Sequence, residues 1–83
     1  MIQKLQPQAK ELEAAVLGAL MLSKNAYDTV SDIITANSFY VEANGLVFSA
    51  IERLNRDYKP VDLLTVVEEL KAAGDLDKVG GAY

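Results

Sequence analysis

The chain has 83 residues, eight of them basic and twelve acidic, for a formal net charge of −4, and it contains neither Cys nor His. Without Cys there is no disulfide framework and no thiolate metal site, and without His the side chain most used near neutral pH as base or metal ligand is gone. The basic residues are scattered from Lys4 to Lys78, whereas a surface that grips phosphates needs them clustered.

Residues 1–7 read as a flexible N-terminal arm, with Pro7 tolerated only at a helix start. Residues 8–83 read as one helical domain. The first helix is predicted over Gln8 to Leu22. Leu12, Ala15, Val16, Ala19 and Leu20 recur at helical spacing, while Ala14, Leu17 and Met21 form a second stripe. Two apolar stripes predict burial on two sides, and the run "AAVLGALML" at 14–22 follows from that. It is too short for a membrane span, which needs about 20 apolar residues. Its flanking Glu11 and Glu13 stand where the basic region of a signal peptide would be. Gly18 inside this helix implies close approach of a neighbour, so a large residue there is expected to overpack the core.

"SKN" breaks the pattern, with Asn25 as a candidate N-cap and Asp28 suited to the positive end of the next helix. The second helix is predicted over Ala26 to Thr35, burying Tyr27, Val30, Ile33 and Ile34. "ANSFY" is then a connection with its aromatic pair tucked under the core. The third helix is predicted over Glu42 to Arg56, with Ala43, Leu46, Val47, Ala50, Ile51 and Leu54 on one face. Glu52 and Arg56 are placed for an i,i+4 ion pair. "DYKP" ends that helix. Asp62 caps a fourth, over Leu63 to Ala73, whose buried set is Leu63, Val66, Val67 and Leu70, and Gly74 ends it. "DLDKVGGAY" reads as a turn followed by a helix start. The expected class is therefore all-α, a compact orthogonal bundle of four main helices plus that short terminal helix start.

Chemical motifs are almost absent. There is no phosphate-binding G-x-x-x-x-G-K-[ST] loop, and Gly80-Gly81 lacks both the Lys and the preceding strand. Asp28 with Asp32, and Asp75 with Asp77, supply too few oxygens for a hard-cation site and read as solvated pairs. No Ser has a base at the spacing of a nucleophile motif. Catalytic, cofactor-binding and metal-ligating residues are thus expected to be none. Phe39, Tyr40, Phe48 and Tyr58 read as packing residues. Ala14, Leu17 and Met21 are the candidate partner interface, since an apolar stripe in excess of what a small core needs marks a contact surface.

The ordered pieces "LEAAVLGALML", "SFY", "LVFSAIERL", "PVDLLTVVEEL" and "AAGDLDKVGGAY" together resemble the N-terminal domain of the DnaB-type bacterial replicative DNA helicases. That family shows an E-x-x-V-L-G-x-L helix, an F-Y dipeptide, an I-F-x-A-I-x-x-L helix, a P-[IV]-D-x-x-T-[VL] helix start and a G-x-L-x-x-[IV]-G-G turn. The likeness covers about residues 11 to 83. It departs after the F-Y, where family members often carry His and a basic residue and this chain has Asn44 and Gly45.

The resemblance implies a non-catalytic collar domain of a ring-shaped hexamer, acting in hexamer assembly and primase interaction at the replication fork. It implies dimers within the ring, a bacterial cytoplasmic location, no membrane contact and no direct nucleic-acid binding by this domain. A helical hairpin would follow Tyr83. An ATP- and Mg-dependent motor domain, the helicase enzyme itself, would lie further on. Two other readings compete. A free-standing helical interaction adaptor would have a stop codon near Tyr83. An acyl-carrier-type protein would need Asp-Ser-Leu at a helix start, where this chain reads Asp62-Leu63-Leu64.

Overall fold

The computed structural model describes residues 10–23 and 25–80. Four α-helices run in chain order: α1 (Lys10–Leu22), α2 (Ala26–Val30), α3 (Glu42–Arg56) and α4 (Leu63–Ala73), with 3-10 turns at Ala36–Ser38 and Asp77–Val79. The predicted arm, the first two residues of the predicted first helix, and Gly81 to Tyr83 of the predicted terminal helix start lie outside the described residues.

The α3 helix is the hub, because α1, α4 and both 3-10 turns pack on it. Its 3.6-residue pattern puts Val47, Phe48, Ala50, Ile51 and Leu54 in the core with Leu17, Leu20, Phe39, Val66 and Leu70. The Phe48 ring is flanked by Phe39, with centroids 5.4 Å apart, and by Tyr27 at 6.1 Å, within the usual range for aromatic pairs.

The α4 helix has the predicted bounds because its ends are encoded locally. The Thr65 N–H donates to Asp62 Oδ1 and the Asp62 N–H donates to Thr65 Oγ1, each at 2.9 Å, so two otherwise orphaned donors satisfy one another's side chains. At the other end Gly74 adopts φ 79°, and the N–H of Asp75 reaches back to the Leu70 carbonyl at 2.8 Å. A residue without Cβ takes that left-handed conformation freely. Val66 and Leu70 are buried as expected, Val67 is partly so, and Leu63 is half exposed. An Arg53–Glu69 ion pair at 2.7 Å clips α3 to α4. The expected Glu52–Arg56 pair is replaced by Arg56 with its neighbour Asp57 at 3.5 Å.

Three expectations are corrected. First, α2 stops at Val30 rather than Thr35. The sequence beyond it is rich in β-branched Ile33, Ile34 and Thr35, which crowd a helix, and Thr35 turns to extended backbone with its N–H bound by Ser38 Oγ at 3.1 Å. Ile33 is consequently exposed rather than buried, and Asn25 makes no side-chain cap. Second, α1 is buried on one side only. Glu13, Leu17 and Leu20 are buried, Val16 and Met21 pack on the core margin, and Leu12, Ala14, Ala15, Ala19 and Leu22 face outward. The shortened α2 covers too little of α1 to enclose its second side. Third, nothing lies within 4 Å of a Cβ built on Gly18, so no neighbour approaches there and a larger side chain has room.

Candidate partner-facing surface

The residues proposed from sequence as an interface do not form one surface. Leu17 is 3% exposed and belongs to the core. Ala14, one heptad before Met21 on the same flank of α1, is exposed, while Met21 is half buried and lines a groove. The buried Leu17 lies between them, so no continuous exposed stripe is left. The aromatic residues divide as well. Phe39 and Phe48 are core residues as expected, but Tyr40 is half exposed and Tyr58 is 96% exposed.

Among the described residues two features gather exposed apolar side chains, and Ile33, Tyr40, Leu63 and Leu64 are exposed outside them. One is the outer side of α1, where Leu12, Ala15, Ala19 and Leu22 follow one another at intervals of three and four residues. The other is an open groove of about 600 Å³ between the C-terminal end of α1 and the α3–α4 connection, with Leu20, Met21, Tyr27 and Val61 among its walls and Leu22, Tyr58 and Pro60 at its lip. Leu22 belongs to both, which joins the two into one apolar margin.

Tyr58 reaches its position through the ending of α3. The Tyr58 N–H binds the Asn55 carbonyl at 3.1 Å and the Lys59 N–H binds the Leu54 carbonyl at 2.9 Å, the same closure that Gly74 makes for α4. Here the left-handed residue is a tyrosine, with φ 58°, a conformation that costs a side-chain-bearing residue about 1–2 kcal/mol. The pattern "DYKP" marks the helix end but carries no glycine to announce that conformation.

A polar region adjoins the groove at Tyr27, which lines both, and holds the shifted ionisations. A shallow notch is lined by Tyr27, Ser49, Glu52, Arg53 and Arg56. Burial pushes the Tyr27 phenol up, with the charges of Glu52 and Asp28 adding to it. Burial likewise raises the Glu52 carboxyl, and the Arg53 guanidinium partly offsets this. Both arginines already hold carboxylates, Glu69 and Asp57. Among the described residues there is no group of three or more Asp or Glu placed to hold a metal ion. No described helix is long and apolar enough to cross a membrane.

A buried polar group with three hydrogen bonds lies between α1 and α3. Glu13 is fully buried, and its carboxylate accepts from the Tyr40 N–H at 2.7 Å, the Val41 N–H at 3.3 Å and Asn44 Nδ2 at 2.8 Å. Val41, the N-terminal flanking residue of α3, has no side chain able to cap, so a carboxylate from another helix serves the positive end of α3. Next to it, a Cβ on Gly45 would meet the Ala36 carbonyl oxygen at 2.8 Å. Asn44 and Gly45 therefore have structural duties here. Positions 13, 17 and 20 share one helical side and two of them are Leu, but an acidic residue on that side does not announce burial without its partners at 40, 41 and 44.

A family model described as the DnaB-like helicase N-terminal domain matches residues 5–83. The chain belongs to this family. The DnaB-like domain is 39% identical over 75 residues to the replicative DNA helicase DnaB of Haemophilus influenzae, covering 90% of this chain and 16% of that protein. It is 45% identical over 74 residues to DnaB of Rhodothermus marinus, covering 89% of this chain and 8% of that one. The chain thus spans less than a fifth of the length of these curated relatives. Its fold matches the crystal structure of the N-terminal domain of DnaB helicase from Mycobacterium tuberculosis with a TM-score of 0.85 at 38% identity, covering 96% of this chain and 54% of that one.

Proposed function

We propose that this DnaB-like domain is a non-catalytic part of a replicative DNA helicase and acts by supporting hexamer assembly and primase interaction. What carries the reading is shared sequence and shared fold together, over 96% of the chain, with a DnaB helicase N-terminal domain. The apolar margin of α1 with its adjoining groove is surface that an assembly domain can use. ATP and Mg belong, on this reading, to a motor domain elsewhere in the parent protein. The residues of this chain do not fit them, because it has neither a phosphate-binding loop nor a described acidic cluster. A cytoplasmic primosome is the corresponding location.

The test is to read the coding sequence beyond Tyr83 and compare the whole product with a version lacking this domain. Loss of hexamers in native mass spectrometry, and of primase binding in calorimetry, is the expected result. A stop codon at that point, or unchanged assembly and primase binding, would replace this reading by that of a free-standing adaptor.

A further inference from the structure

The chain contains one Asn–Gly step, Asn44–Gly45, the dipeptide whose chemistry is least stable. The backbone nitrogen of Gly45, unhindered by a side chain, can attack the Asn44 side-chain carbonyl carbon. A nitrogen–carbon bond forms, the backbone N–H proton is lost, and the amide nitrogen leaves as ammonia. The resulting cyclic imide takes up one water and opens at either carbonyl, leaving aspartate or isoaspartate.

In the folded domain both reacting groups are held apart from this course. The Gly45 N–H donates to the Val41 carbonyl at 3.2 Å within the first turn of α3. Asn44 is 8% exposed, and its Nδ2, the would-be leaving group, donates to Glu13 at 2.8 Å. Glu13 arrives from α1, so the protection depends on α1 staying docked. We propose that Asn44 is a latent deamidation site held silent by Glu13, so that undocking of α1 from α3 is recorded as an irreversible covalent change. The product cannot re-form the tie. Aspartate at 44 sets a second carboxylate against Glu13, and isoaspartate inserts an extra backbone carbon into the first turn of α3.

The experiment holds the native chain and the urea-unfolded chain at mildly alkaline pH and follows aspartate and isoaspartate at each asparagine by peptide mass spectrometry. Asn44 should convert fastest of the four in the unfolded chain and at least roughly tenfold more slowly in the native one, as a group reached only through local opening does. Glu13→Gln should raise the native rate at Asn44 by roughly tenfold, the equivalent of about 1.4 kcal/mol of lost protection. Leu70→Ala, a core change remote from the tie and compared at equal global stability, should raise it less. Equal native and unfolded rates at Asn44 would overturn the proposal. So would equal acceleration by the two variants, because protection would then belong to global folding alone. If Glu13→Gln fails to fold, wild type in graded urea serves instead: conversion rising before the helical signal falls supports the tie, and conversion rising only with it refutes the tie.

Discussion

The Glu13 carboxylate accepts the Tyr40 N–H at 2.7 Å across 27 positions of sequence, so the entry to α3 is completed by a side chain from α1. Removing that carboxylate strands two backbone donors and one side-chain donor in a buried place. Glu13→Ala should lower unfolding stability by roughly 3 kcal/mol, between the loss of one charge-assisted bond and the sum of three. Glu13→Gln, which keeps the shape and one acceptor oxygen, should cost about half as much. Urea unfolding followed by circular dichroism measures both. An Ala variant within about 0.5 kcal/mol of wild type would show that water replaces the carboxylate without loss.

The two helical glycines should respond oppositely to alanine. Gly18 has open space where a Cβ would go, so Gly18→Ala should raise stability by roughly 0.5–1 kcal/mol through helix propensity alone. A Cβ on Gly45 would meet the Ala36 carbonyl oxygen at 2.8 Å. Backbone cannot swing aside as a flexible side chain can, and Gly45→Ala should cost about 1–3 kcal/mol. Melting temperatures of the two variants, measured side by side, should move in opposite directions.

Tyr58 is held in a left-handed conformation while its ring touches mainly water. Tyr58→Gly should therefore stabilise the domain by about 0.5–1 kcal/mol, the relieved strain less the added freedom of the unfolded chain. A fall in melting temperature would mean that the ring packs on the groove more than its exposure indicates.

Glu52 has its carboxyl raised above the ordinary 4.5, chiefly by burial. A raised acid binds its proton more tightly when folded, so its contribution is fully present below the unfolded value and is lost as pH rises through the folded one. At neutral pH the charged Glu52 is thus a small liability. Glu52→Gln should be neutral to stabilising at pH 7, with the gain over wild type shrinking as pH falls below the ordinary carboxylate range. Thermal melts of both proteins across that range check the sign, and a gain that grows on acidification would contradict it.

The helices whose ends are written in adjacent residues were legible in the sequence. Asp62 with Thr65 and Gly74 set α4 without help from elsewhere, and the apolar repeat from Val47 to Leu54 marks α3, although Glu13 of α1 completes its entry. The α1 helix was harder because it is apolar all round, so spacing alone cannot choose a buried side. The polar Glu13 counts against the side it occupies unless its distant partners are known. Apolar spacing extends α2 too far because Ile33 and Ile34 continue the helical stripe, while their β-branching and the turn at Thr35 act against the helix. The family likeness is carried by core and cap residues, which is why it predicts the fold, whereas the interface reading rests on the apolar stripe of α1, and within that stripe Leu17 is a core residue.

The tie between Glu13 and the Tyr40 and Val41 amides also changes how hydrogen–deuterium exchange should be read in this domain. Those two N–H groups precede α3 and make none of its internal ladder bonds, yet they are sheltered by a carboxylate that departs only when α1 does. Their exchange rates therefore gauge the docking of α1, while amides further along α3 gauge the helix itself. A contact that loosens α1 and leaves the bundle intact would be visible at residues 40 and 41 alone.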